Sequence, residues 1–107
     1  MDLMQYQIVW VNLDPTTGSE IKKTRPCVII SPNEMNRYLQ TIMIAPITSA
    51  SRNYPTRVSI KHAKTKGWIV LDQIRTIDRI RIVKILNRLN DKEILQVKNI
   101  IREMLVD

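Results

Sequence analysis

Glycine occurs only at positions 18 and 67 of this 107-residue chain. A Gly-rich loop that cradles phosphates needs several glycines at fixed spacing, so that class is excluded. The only histidine is His62, which rules out a His–His catalytic pair within one chain. It lies in a lysine-rich segment with no adjacent nucleophile, so a serine-hydrolase arrangement has nothing to build on. The only cysteine, Cys27, excludes an internal disulfide and leads us to expect a reducing, cytoplasmic compartment. Set in an apolar run, Cys27 reads as a small buried hydrophobe. Carboxylates are thin too: before residue 90 there are only Asp2, Asp14, Glu20, Glu34, Asp72 and Asp78. None is spaced to share a metal with His62 or Cys27, so neither a metal nor another cofactor is expected. The N-terminus lacks the charged leader and apolar run of a secretory signal. No stretch approaches the roughly 20 apolar residues of a membrane span, so no membrane partner is expected.

What the chain has is positive charge. Net charge is +7. Residues 91–107 hold three Lys/Arg against four Asp/Glu, while residues 1–90 hold 14 against six. All the excess therefore lies upstream of the last segment, which suits a polyanion or an acidic protein partner. At 44% hydrophobic, residues 1–107 are expected to form one domain with a small core.

Residues 18–32 organise the chain. Pro15, Gly18 and Ser19 punctuate the entry to a loop carrying Glu20, Lys22, Lys23 and Arg25. Pro26 biases Arg25 towards an extended backbone, and Val28, Ile29 and Ile30 read as a buried strand. Arg25 thus stands where a loop becomes sheet. A guanidinium held there meets a phosphate with little loss of freedom. From these residues alone, a surface loop of merely solvated charges is the favoured reading.

Along the chain, residues 7–13 form a first strand with Val9, Val11 and Leu13 on one face and Ile8 and Trp10 on the other. Residues 32–36 make a turn or one helical turn. Residues 41–47 form a strand whose ladder Pro46 should end. Thr48, Ser49 and Ser51 follow, hydroxyls able to meet a phosphate or cap a turn. Residues 56–60 alternate like a half-exposed strand, 61–66 form a basic hairpin loop closed by Gly67, and 68–71 a buried strand. Residues 72–78 alternate polar and apolar, so Asp72, Arg75 and Thr76 either line a cleft or form an ordinary surface pair. A turn and a short strand near 83–86 come next. Asn90 and Glu93 then predict the capped start of a helix over 91–105, with Ile94, Val97, Ile101 and Met104 in a stripe. Short strands and one terminal helix predict a compact, mostly antiparallel β-barrel.

Elimination leaves one reaction class that needs no metal. RNA carries its own nucleophile, the 2′-hydroxyl. A protein cleaves it by positioning the sugar, moving protons and stabilising extra charge on phosphorus. Arginine, threonine or serine, and one carboxylate suffice.

Five colinear blocks carry a resemblance. They are Trp10-Val11-Asn12-Leu13-Asp14-Pro15, Gly18-Ser19-Glu20-Ile21, Thr24-Arg25-Pro26-Cys27-Val28-Ile29-Ile30-Ser31-Pro32, Ala45-Pro46-Ile47-Thr48-Ser49 and Asp72-Gln73-Ile74-Arg75-Thr76-Ile77-Asp78. Together they resemble the MazF/PemK toxins, most closely the Gram-positive-type members, over nearly the whole chain. The resemblance implies a small SH3-like antiparallel β-barrel with a C-terminal helix, acting as a homodimer. It implies a metal-independent, sequence-specific endoribonuclease that cuts single-stranded RNA, leaving 2′,3′-cyclic phosphate and 5′-hydroxyl ends. It also implies an acidic, MazE-like antitoxin partner. Arg25 and Thr48 match the family's main catalytic positions, and Glu20 an acidic position that some members use. Lys22, Lys23, Ser49, Tyr54, Arg75 and Thr76 complete the expected RNA-binding set. The alternative is a toxin of the same fold that poisons DNA gyrase without cutting RNA. Those relatives use a Trp near the chain end, where this chain reads Met104-Leu105-Val106-Asp107.

Overall fold

A computed structural model describes residues 2–13, 24–50, 53–62 and 65–107, with the backbone alone for His62, Thr65 and Lys66. The elements run β1 (Gln7–Asn12), β2 (Thr24–Ile29), α1 (Asn33–Tyr38), β3 (Thr41–Thr48), β4 (Arg57–His62), β5 (Thr65–Val70), β6 (Arg75–Asp78), β7 (Ile82–Arg88) and α2 (Asp91–Leu105). Two 3₁₀ turns, Leu71–Gln73 and Arg79–Arg81, bracket β6. No helix among the described residues is long and apolar enough to cross a membrane.

β3 assembles the sheet. One of its edges pairs with β2, from Cys27–Pro46 to Ile29–Ile44. The other edge pairs first with β6, ending at Ile44–Arg75, and then with β5, at Ile47–Ile69 and Thr48–Trp68. Pro46 does not end the strand. It falls in the gap where that edge changes partner, where a residue without an N–H leaves no donor to satisfy. The strand order is β4-β5-β3-β2-β1-β7 with β6 added on β3, all antiparallel. The mostly antiparallel sheet with a C-terminal helix is as expected, but it does not close into a barrel. β4 and β7 end the order and no pairing joins them among the described residues, so the sheet is open.

Alternation splits the apolar residues into two cores, as a pleated strand requires. Val9, Val11, Cys27, Ile42, Ile44 and Ile77 pack on one side. Ile8, Val28, Ala45, Ile47, Val58, Ile60 and Ile69 pack on the other, with Ile94 and Val97 of α2. Ile100, Ile101 and Met104 border that second core, whereas Leu95 is 59% exposed. Trp10 is only half-buried.

Helix α2 is anchored by local chemistry. Asn90 Oδ1 accepts from the Glu93 N–H at 2.8 Å, and Glu93 Oε1 accepts from the Asn90 N–H at 3.0 Å. This reciprocal cap satisfies donors that a helix start leaves open. Asn90→Ala is expected to lower stability by about 1 kcal/mol, read by denaturant unfolding, without altering the sheet. Of the turn and the helical turn expected over residues 32–36, the structure takes the helical one and extends it to Tyr38. These residues form α1 because buried Asn36 links back to Ser31, donating through Nδ2 to its carbonyl at 2.9 Å, while Ser31 Oγ accepts from the Met43 N–H at 3.1 Å. The expected six-residue hairpin loop is also shorter. Lys61–Lys66 and His62–Thr65 are paired, so strand continues through most of it. β7 is likewise longer than the segment read near residues 83–86, because it pairs along β1 from Gln7–Arg88 to Val11–Ile82.

Candidate functional site

Arg25 is the second residue of β2 and is exposed. Its Cα partner on β1 is Val11. On the β3 side the pairing ends at Cys27–Pro46; Arg25 and Thr48 each lie two residues past that pair on their own strands, and both line one cleft. β6 pairs along the first half of β3, and its pair nearest to Thr48 is Ile44–Arg75. These three strands surround a cleft of about 550 Å³. Its polar lining is Arg25, Arg75, Thr48, Ser49 and Gln73; Leu13, Pro26, Pro46, Ile47 and Val70 supply apolar wall. Among the described residues the lining holds no carboxylate, and neither arginine makes a salt bridge.

Beneath the arginines lies Cys27, fully buried. Burial pushes its thiol up to about 12, against the downward pull of the Arg75 and Arg25 charges. The thiol therefore stays neutral near pH 7, and its S–H donates to the Arg25 carbonyl at 3.7 Å. Cys27 acts here as packing that holds the Arg25 backbone, in keeping with its apolar sequence setting. Thr48 Oγ1 accepts from the Ala50 N–H at 3.2 Å and donates to the Ala50 carbonyl at a long 3.4 Å. The hydroxyl is thus oriented by the turn, with a lone pair and a loosely held proton left for a ligand.

Of the residues expected to act on RNA, the cleft brings together Arg25, Thr48, Ser49 and Arg75. Glu20, Lys22 and Lys23 lie outside the described residues. Thr76 is not part of the cleft lining. It pairs with Met43, one step from Arg75–Ile44, and a one-residue step turns a side chain to the opposite face of a sheet. Tyr54 is also elsewhere, with the Arg57 guanidinium 4.9 Å from its ring centroid. Asp72 joins that outer group. Its carboxylate accepts from Arg57 Nε at 3.3 Å and from the Thr56 hydroxyl at 2.9 Å. The Arg57 hydrogen bond, ahead of the smaller effect of Thr56, holds Asp72 below the usual carboxylate range. So Asp72 is a surface-pair residue and not a lining one. Gln73 escaped the sequence reading. Its only signal was its place beside Arg75 in the 72–78 block, and the 3₁₀ turn that aims it into the cleft has no sequence signature.

Chemically, two guanidiniums and two hydroxyls around one opening suit the oxygens of a phosphate: the arginines supply forked donors and charge, the hydroxyls orient. By fold and cleft, then, this is a small antiparallel-sheet protein with a C-terminal helix and a basic, hydroxyl-bearing cleft on β3. The chain belongs to the PemK-like, MazF-like toxins of type II toxin–antitoxin systems, a family it matches over residues 4–105. It is 38% identical over 96 residues to an Endoribonuclease MazF of Staphylococcus saprophyticus, covering 84% of this chain and 80% of that one. An Endoribonuclease MazF of Staphylococcus epidermidis is 36% identical over 94 residues, covering 82% and 78%. Among solved structures, a MazE–MazF complex from Deinococcus radiodurans superposes with a TM-score of 0.83 at 22% identity, covering 99% of this chain and 97% of that one. That likeness shows that the fold is shared.

Proposed function

We propose that this chain is the endoribonuclease toxin of a toxin–antitoxin pair, cutting single-stranded RNA at short sequences in the cytoplasm without a metal. The observation that carries the reading is the shared cleft of Arg25, Arg75, Thr48 and Ser49 in a chain 38% identical to a protein named Endoribonuclease MazF.

In this reading the 2′-oxygen of the nucleotide before the cut attacks phosphorus. The 2′-O–P bond forms, the P–O5′ bond breaks, and the departing 5′-oxygen takes a proton. Arg25 and Arg75 donate N–H to the non-bridging oxygens, whose negative charge grows at the transition state, and Arg25 supplies the leaving-group proton. Arginine is already protonated at working pH and so is a poor base, and the 2′ proton goes to Glu20. Thr48, fixed by Ala50, orients the phosphate or the 2′-hydroxyl. Lys22 and Lys23 draw in the strand electrostatically.

The functional unit is a homodimer held inactive by an acidic MazE-like antitoxin. Ile80 and Val83, 78% and 62% exposed, give a second copy apolar surface to cover. The excess positive charge of residues 1–90 suits both RNA and an acidic tail. The gyrase-poisoning alternative has no support from the relatives, and α2 ends without a Trp.

Incubating the purified protein with a long RNA in EDTA tests the reading. Discrete cuts with 2′,3′-cyclic phosphate and 5′-hydroxyl ends are expected. Intact RNA, or fragments with 5′-phosphate ends, would contradict it.

A further inference from the structure

Trp68 sits one strand away from the Thr48 hydroxyl. Cross-strand partners share a face, and the pairs Thr48–Trp68 and Trp68–Ser59 set these three residues in one row across β3, β5 and β4. Two strand spacings of about 4.8 Å separate the ends of that row. Cavities follow it. Ser49, which lines the arginine cleft, also lines a cavity of about 380 Å³ with Ser59, Lys61 and Trp68. Those last three residues continue into a third cavity of about 590 Å³ between β4 and α2. The opening around Arg25 and the groove beside α2 are therefore linked through shared residues, with the half-buried indole of Trp68 between them.

We propose that the Trp68 groove binds a base of the RNA strand beside the cut and so sets sequence preference. The proposal rests on the nuclease reading and extends it. The chemistry is that of base recognition. Trp68 offers a face for stacking. Gln96 and Asn99 on α2 present amides, each with donors and an acceptor, suited to a base edge. Lys61 and Lys92 supply charge for the flanking phosphates. Glu93 is already engaged, with Oε1 on the Asn90 N–H and Oε2 on the Lys61 N–H at 3.4 Å. Arg57 is held by Asp72. Stacking is the costly part to lose, since an aromatic face binds any base well and the amides then choose among them.

The test compares Trp68→Leu, Trp68→Phe and the double variant Gln96→Ala/Asn99→Ala on one long transcript, with melting temperatures measured alongside. Trp68→Leu is expected to lower kcat/KM by roughly 5- to 150-fold, mainly through KM, and to relax preference at one position near the cut. Trp68→Phe keeps the ring and restores most of both. The double variant relaxes the same position through exposed helix side chains, so it decides the matter even if Trp68→Leu unfolds. An abasic nucleotide at that position, in a non-cleavable 2′-deoxy oligonucleotide, weakens binding to the wild type but not to Trp68→Leu. Unchanged KM and an unchanged cut profile in the double variant and in folded Trp68→Leu would overturn the proposal. So would a loss confined to antitoxin binding. A wild type that cuts no RNA would sink the nuclease reading itself, and that result precedes any variant.

Discussion

Arg25→Ala is expected to lower RNA cleavage by at least about 100-fold while leaving the melting temperature nearly unchanged. The size follows from what the guanidinium does in the proposed reaction. It faces charge that grows on the phosphorus oxygens, and removing one such preorganised donor typically costs about 100- to 1,000-fold in rate. The silence in stability follows from its surroundings. Arg25 is exposed, makes no salt bridge among the described residues, and lines an open cleft. Surface substitutions of that kind stay within about 0.5 kcal/mol. Arg25→Lys is expected to recover little, because an ammonium does not reproduce the planar fork. An active Arg25→Ala enzyme would remove the guanidinium from the mechanism. An unfolded one would make Arg25 a structural anchor instead.

Gly67→Ala is expected to do the reverse, damaging the fold first and activity through it. A β-carbon at position 67 would lie 2.5 Å from the Thr48 carbonyl oxygen and 3.1 Å from Ile47 Cγ2. The nearer atom is backbone, so the clash is relieved only by parting β3 from β5. The backbone itself, at φ +157°, adds strain for any side chain. Overpacking and backbone incompatibility together cost about 2–4 kcal/mol, which for a domain of this size lowers the melting temperature by roughly 10 °C or more. Cleavage should fall as well, because Thr48 is the residue displaced. The two variants therefore separate cleanly: Arg25→Ala loses activity without stability, and Gly67→Ala loses both. A Gly67→Ala protein of unchanged melting temperature would show that the close approach at Thr48 does not hold these strands together.

Local chemistry was legible in the sequence. The Asn90–Glu93 cap, the stripe begun by Ile94 and Val97, and the alternation of β1 all concern residues a few positions apart, and each appears in the structure. The juxtaposition of Arg25 and Thr48 was not legible in that way. They are 23 residues apart and share a cleft only because β2 and β3 pair in one register. The colinear motifs brought them together where spacing could not. The misreadings have the same origin. Pro46 was read as a stop because a lone strand cannot show that its neighbour changes there from β6 to β5. Gly67 was read as closing a loop, whereas it is the strand residue that lets β5 approach Thr48. Short strands and one terminal helix predict a barrel, but closure depends on the edges β4 and β7 meeting. Thr76 was grouped with Arg75 as a near neighbour, and the two-residue pleat separates them. Trp68 and Gln73 gain their positions from a hairpin and a 3₁₀ turn, so neither stood out in the chain.

The central claim is that RNA supplies the attacking oxygen and the protein supplies arginine and hydroxyl around the phosphate. One substitution in the substrate tests it most directly. An oligonucleotide containing a mapped cut site is made with a single 2′-deoxy nucleotide immediately before the scissile bond and incubated in EDTA beside its all-ribose twin. The twin is expected to be cut and the deoxy-substituted strand to stay intact while still binding. Cutting of the substituted strand at the same bond would mean that an oxygen other than the 2′-hydroxyl attacks, and the account would be wrong.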